Sequence, residues 1–301
     1  MGHRKIRAQG NIRSHSDVAF DVGIYIIMVI FSAIFLYPVL YALANSFSGQ
    51  DAVLRQRVWL WPVDVNVNSY KRVFEHEYVL SSYGNTILYT ALGTAYSLVL
   101  TVLGAYPLSR RYLPFRDFFM LAIAFTMLFS GGLIPTFLVV RDLGLINTIW
   151  AMVFPCAVTP FNLILLRTSM QEIPEAIEES AKIDGANDWI ILLRIILPMS
   201  MAAVMTVFLL YFVGKWNSWF NALIYLNDRA MYPLQMILRD ILVSNDDKTL
   251  NLELLRDTRN EVTSLGFKSA IMVIAMAPLV MVYPFIQKYF VKGIMLGAVK
   301  G

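Results

Sequence analysis

The stretch Gln171-Glu172-Ile173-Pro174-Glu175-Ala176-Ile177-Glu178-Glu179-Ser180-Ala181-Lys182-Ile183-Asp184-Gly185-Ala186-Asn187-Asp188-Trp189-Ile190-Ile191-Leu192-Leu193-Arg194-Ile195-Ile196-Leu197-Pro198 decides how this chain is organised. Pro174 suits the first turn of a helix, and Glu175, Glu178 and Glu179 follow where the positive end of the helix dipole favours acidic groups. Asp184-Gly185 supplies turn chemistry, because glycine takes positive φ without steric cost. Asn187 or Asp188 then caps a second helix, in which Trp189, Leu192, Leu193 and Ile196 recur at helical spacing before Pro198 ends it. The pattern predicts an amphipathic helical hairpin held at a membrane surface. On pattern alone, the bland reading is an interfacial helix lying on lipid.

On both sides of this polar segment the charges disappear. Only 15% of the 301 residues are charged, against roughly 25% in ordinary soluble domains, and 57% are hydrophobic. A single soluble globule is excluded, and so is a disordered chain. Six uncharged runs stand out: Val22 to Gln50, Tyr78 to Ser109, Phe118 to Val140, Leu143 to Leu166, Ile195 to Gly214 and Ser269 to Gln287. Each is near or above the roughly 20 residues that a helix needs to cross a hydrocarbon core. The fold expected is all-α and integral to the membrane. Its six transmembrane helices are placed at about 22–44, 86–108, 118–140, 149–166, 199–226 and 268–290, with long external connections at 45–85 and 227–265. The first run is too long for the apolar part of a signal peptide, although Ala42-Leu43-Ala44 imitates a cleavage site.

Orientation follows from lysines and arginines in short connections, which stay on the cytoplasmic side. Arg4, Lys5, Arg7 and Arg13 put the N-terminal segment, residues 1–21, inside; Arg110, Arg111 and Arg116 put the next short link there too. With six spans the C-terminal end, with Lys288, Lys292 and Lys300, is also cytoplasmic, as is the hairpin. The net charge of +4 thus reflects topology, and nucleic acid is not expected as a partner. Gly131-Gly132 with Pro135, Pro155 with Pro160, and Pro278 with Pro284 interrupt three of the runs. Broken helices are tolerated in lipid where they pack on protein or line a cavity, which suits a transporter without identifying one.

The hairpin resembles the EAA motif of membrane subunits of ABC importers. Glu179-Ser180-Ala181, Gly185 and Ile195-Ile196-Leu197-Pro198 match that motif in order and spacing, with Ser180 a small-for-small departure. The resemblance runs over almost the whole chain. It implies the type I importer (MetI-like) fold, with residues 22–301 as the permease domain and 171–198 as the coupling segment. Glu179 would meet a basic or polar group on the ATPase, Ala181 would allow close approach, Gly185 would form the turn, and Ser180, Asp184, Ala186 and Pro198 belong to the same contact. Glu178 to Ala186 and Gly214 to Leu223 are similar to the carbohydrate-uptake branch, which includes the second membrane subunit of the maltose transporter. Tyr232-Pro233-Leu234-Gln235 looks like the segment found in subunits handling complex polysaccharide fragments. Implied partners are a second related permease subunit, two cytoplasmic ATPases, an extracytoplasmic solute-binding protein, a saccharide and the bilayer of a bacterial cell membrane. In the maltose system a loop matching 227–265 enters the sugar site of the binding protein.

Lys215 interrupts the apolar run from Ile195 to Asn227. One reading puts it deep, attracting an anionic sugar while Trp216, Trp219 and Phe220 offer flat faces to pyranose rings beside Asn217. The other puts it near the outer edge, snorkelling, with the aromatics in an interfacial belt. No phosphate-cradling GxxxxGK[ST] occurs, and Gly266-Phe267-Lys268-Ser269 only mimics its end. ATP and Mg are therefore expected on partner subunits. His3, His15 and His76 are isolated, Cys156 stands alone, and neither a metal set nor a catalytic triad is defensible. The chain reads as a transport subunit and not an enzyme. Other cargoes (peptide, polyamine, phosphate) remain open. An ion-coupled secondary transporter would want intramembrane carboxylates, which the first through fourth and sixth runs lack.

Overall fold

The computed structural model describes residues 15–243 and 263–298; Arg4, Lys5, Arg7, Arg13, Lys300 and residues 244–262 of the expected external stretch 227–265 lie outside the described residues. In chain order the helices are α1 (His15–Ser46), α2 (Gln50–Leu54), α3 (Asn68–Glu75), α4 (Val79–Ser109), α5 (Arg116–Leu128), α6 (Leu133–Asp142), α7 (Trp150–Val153), α8 (Pro160–Gln171), α9 (Glu175–Ile183), α10 (Asp188–Ile191), a π-helical turn (Leu192–Ile196), α11 (Leu197–Met199), α12 (Met201–Trp216), α13 (Phe220–Tyr225), a 3-10 turn (Arg229–Met231), α14 (Leu234–Val243) and α15 (Ser264–Ala298). No strand occurs among the described residues.

Three helices are long and apolar enough to cross a membrane, over Phe20–Ser46, Val79–Ser109 and Ser264–Tyr289. These agree with the expected first, second and sixth spans, except that α4 starts at Val79, inside the stretch read as external loop, and that α2 and α3 occupy part of that loop. The expected span 118–140 is two helices, α5 and α6, bent by 111°. Gly132 makes the break, with φ +87 immediately before α6. The expected span 149–166 is also two pieces. Helix α7 ends at Val153, and α8 restarts with Pro160 in its first turn, where a missing N–H costs nothing. The expected span 199–226 runs only to Trp216 before Asn217 breaks it, and α13 follows as a separate short helix. Pro198 does not end the second hairpin helix. The chain passes through the π turn and α11 as far as Met199, and then turns by 84° into α12. A widened turn accommodates a proline that cannot donate a backbone hydrogen bond.

Helix α4 is the centre of the packing, against α12 on one side and α8 on another. Between Ser82 and Thr101 its buried positions other than Tyr89 are small and mostly polar: Ser82, Thr86, Thr90, Gly93, Thr94, Ser97 and Thr101. In lipid, apolar side chains gain little by meeting each other, and helices associate where small residues let backbones approach. The main apolar cluster joins Val102, Ala105 and Tyr106 of α4 to Leu166 and Met170 of α8 and to Val204, Val207 and Tyr211 of α12. It continues without a gap into Ala181, Ile191, Leu192 and Ile196 of the hairpin. At the opposite end of α4, a second cluster gathers Val73, Val79, Leu234, Ile237, Phe267 and Ile271. There Asn85 Nδ2 donates to the carbonyls of Ala230 (2.7 Å) and Tyr232 (3.2 Å), Tyr89 donates to Met231 (2.8 Å), and Leu234 N donates to Thr86 Oγ1 (2.7 Å).

Candidate functional site: the helical hairpin and the broken-helix junction

The hairpin forms as its sequence dictates. Gly185 takes φ +82, and the turn closes with Gly185 N on Lys182 O (3.0 Å) and Ala186 N on Ala181 O (2.9 Å). Of the two capping choices, Asn187 is used: its Oδ1 accepts from Ile190 N at 2.9 Å. Pro174 stands one residue before α9, as its N-cap.

Of the two adjacent glutamates of α9, one is exposed and the other buried. Glu179 is exposed, together with Ser180, Asp184 and Ile183 (86% exposed), and Trp189 (62%) and Leu193 (58%) of the second helix are exposed too. Glu178 is buried. Its Oε2 lies 2.8 Å from Nη1 of Arg110, the residue that follows α4, and both side chains are buried, Glu178 6% and Arg110 4% exposed. Lys182 Nζ reaches Glu178 Oε1 at 3.2 Å, and Tyr106 donates to the same oxygen at 3.4 Å. Burial alone would lower the Lys182 pKa, but the hydrogen bond and charge of Glu178 outweigh it and raise it above the ordinary lysine value. Ala181, read as permitting close approach, makes that approach within the chain itself, packed in the core cluster with Ala186 beside it. Pro198 is exposed.

At the break between α7 and α8 the lost helical hydrogen bonds find other partners. Lys215 Nζ donates to the carbonyls of Met152 (3.1 Å) and Val153 (3.2 Å). Tyr211 Oη accepts from Thr159 N (3.1 Å) and bonds Thr101 Oγ1 (2.7 Å). These groups supply the backbone partners that a broken helix needs inside lipid. The residues Lys215, Trp216, Asn217, Trp219 and Phe220 do not share one face. Trp216 is buried, donates Nε1–H to Ala275 O at 2.9 Å, and meets the rings of Tyr83 and Phe212. Trp219 and Phe220 are partly exposed, and the Arg239 guanidinium lies 4.8 Å from the Trp219 ring centroid. Gln235 Nε2 donates to Asn217 Oδ1 at 3.3 Å. A groove of about 700 Å³ runs past Met127, Phe161, Leu165, Ala203 and Thr206 on α5, α8 and α12. No group of three or more His, Cys, Asp or Glu that could hold a metal ion occurs among the described residues.

The sequence missed Arg110, Tyr106 and Glu178 as one unit. A signal existed in the i,i+4 spacing of Glu178 and Lys182 and in Arg110 closing an uncharged run, but nothing local pairs residues 68 positions apart.

Residues 112–296 match the family described as the binding-protein-dependent transport system inner membrane component. Protein LplC of Bacillus subtilis (strain 168) is 41% identical over 94% of this chain and 95% of its own length. The polygalacturonan/rhamnogalacturonan transport system permease protein YtcP of the same organism is 41% identical over 94% of this chain and 98% of its own. Among solved structures, a chain of a bacterial ABC transporter involved in the import of the acidic polysaccharide alginate superposes with a TM-score of 0.84 at 37% identity, covering 92% of this chain and 98% of that one. With a matching all-helical fold, an EAA-type hairpin built into its core and this extent of similarity, the chain belongs to the family of inner membrane components of binding-protein-dependent transport systems.

Proposed function

We propose that this chain is one membrane-spanning permease subunit of an ATP-dependent importer of oligosaccharides, acidic polysaccharide fragments above all. As a member of its family it is a multi-pass membrane transport component and not an enzyme. The observation that carries the mechanism is the two-sided hairpin: Glu179, Ile183, Asp184 and Trp189 are offered outward while Glu178, Ala181, Ile191 and Ile196 are fixed in the core that joins α4, α8 and α12. An outer face of mixed acidic and large apolar groups suits a protein partner, and that partner is the ATPase. Two ATPase subunits hold ATP and Mg on the cytoplasmic side, and a second, related permease subunit completes the pore. An extracytoplasmic binding protein delivers the saccharide.

In this reading the chain crosses a bacterial plasma membrane six times, with both termini in the cytoplasm. The pieces α7 and α8 together make one crossing. ATP-driven closure of the ATPases moves the hairpins and reorients the helices, so that the cavity opens outward to receive the sugar. Asn217, Trp219 and Phe220 lie along the saccharide path, while Lys215 and Trp216 hold α7 and α15 in place around it. The acidic cargo is supported by the similarity to the polygalacturonan/rhamnogalacturonan permease YtcP and to the alginate importer. The test is uptake into proteoliposomes holding the complete importer, with galacturonate or mannuronate oligomers set against neutral oligosaccharides. Uptake that needs ATP and the binding protein, and that favours the acidic oligomers, is expected. Uptake driven by an ion gradient without ATP would overturn the ABC reading, and preference for neutral sugars, peptides, polyamines or phosphate would overturn the cargo.

A further inference from the structure

Arg110 and Glu178 are the two charged side chains that are buried among the described residues, and they are buried against each other. Helix α9 makes no extended contact with another described helix. Side chains hold it: Ala181 and Ile177 in the apolar cluster, and Glu178 on Arg110 and Tyr106. Arg110 sits directly at the end of α4, its N–H bonded to Pro107 O at 3.1 Å and its guanidinium 5.0 Å from the Tyr106 ring centroid. We propose that Arg110 is a positioning residue of transport: through Glu178 it makes α9 and the end of α4 one rigid body, so that displacement of the hairpin is carried directly into the most central membrane helix.

The physical case rests on burial. A second tie in the same place, Arg111 Nε to Glu175 Oε1 at 3.1 Å, is exposed on both sides (77% and 55%) and exchanges readily with water. The buried pair cannot part without stranding a charge away from solvent, and removal of one partner from such a pair is strongly destabilising. A link of that kind survives a conformational stroke that an exposed one would slip through. Lys182, 44% exposed, closes Glu178 from the water side and leaves its second oxygen to Arg110. Helix α4 packs on both α8 and α12, so a body made of α9 and α4 reaches the helices that flank the broken junction.

The proposal rests on the reading that the ATPase docks on the outer face of the hairpin, and the experiment separates the two. In the complete reconstituted importer, the double variant Arg110→Met/Glu178→Leu removes both charges and so leaves none stranded, which is often near neutral for folding. It is expected to capture ATPase as the parent does, while saccharide delivered per ATP hydrolysed falls about three- to tenfold. An unchanged ratio would overturn the proposal. A measurement free of folding effects keeps Arg110 and Glu178 intact and places spin labels at Leu103 and Ala176, after Cys156→Ser. The distance is expected to be the same in nucleotide-free and ATP-bound importer; a change approaching one helical turn, about 5 Å, would overturn the strut. ATPase capture that persists when the exposed outer face is recharged by Glu179→Lys would instead refute the docking site, and the labelled distance still reports on the strut.

Discussion

Gly93 on α4 and Lys215 on α12 interlock: a Cβ at position 93 would stand 3.0 Å from Lys215 Cδ and 3.1 Å from its Cε. The lysine stem runs through the space that the glycine leaves, and its ammonium ends on the carbonyls of Met152 and Val153. A branched side chain at 93 must push the stem aside while both hydrogen bonds hold its tip. Gly93→Val is expected to destabilise the assembled complex by about 1–3 kcal/mol, read as a lower melting temperature in detergent. An unchanged melting temperature would show that the stem relaxes freely.

Lys215→Met keeps the length of the stem and removes the donor. Two carbonyls at the end of α7 then lose their partner, at a cost of about 1–3 kcal/mol for each group left unsatisfied. Uptake of acidic and neutral oligosaccharides is expected to fall together, because the junction between α7 and α8 loosens for every cargo. Transport assays with both classes decide the matter. Loss confined to acidic oligomers would return Lys215 to a direct role in attracting the sugar.

Gly185 holds φ +82 in the hairpin turn, a conformation that costs an L-residue about 1–2 kcal/mol. A Cβ there meets nothing within 4 Å, so strain and not crowding is the consequence of substitution. Gly185→Val is expected to leave the subunit in the membrane at near-parental amounts while pull-down of the ATPase drops. Equal ATPase recovery would mean that the turn tolerates the residue or that docking does not depend on it.

Ile183 and Trp189 are large apolar side chains left 86% and 62% exposed on a segment otherwise anchored in the core. Buried aromatic and aliphatic anchors dominate protein interfaces, so Trp189→Ala is expected to weaken ATPase binding by at least about 2 kcal/mol, roughly thirtyfold in affinity. Ile183→Ala should do less. Titration of labelled ATPase against the solubilised permease pair measures both. Full affinity in Trp189→Ala would move the contact elsewhere on the hairpin.

Much of this architecture is legible in the sequence. Pro174, Gly185 and Asn187 fixed the start, turn and cap of the hairpin because each acts through its own backbone or its immediate neighbours. The long apolar helices α1, α4 and α15 followed from the absence of charge, since one ionisable group in hydrocarbon costs more than any local preference offers. Where glycine or proline entered a run, the sequence announced an interruption but not its size: Gly132 gave a bend of 111°, and Pro198 passed without ending its helix.

What the sequence by itself determined is the class of the molecule and the local shape of its helical hairpin, because both depend on residues close together along the chain. What only the tertiary structure decided is which way chemically identical neighbours face. Glu178 and Glu179 differ by about 100° around α9, and that rotation sends one to Arg110 across 68 positions of sequence and the other to solvent. Lys215, an ambiguous charge in an apolar run, became a partner for two carbonyls because Gly93 and the end of α7 arrive beside it. Pairings of that kind depend on where helices cross, and crossing points are set by the packing of the whole bundle.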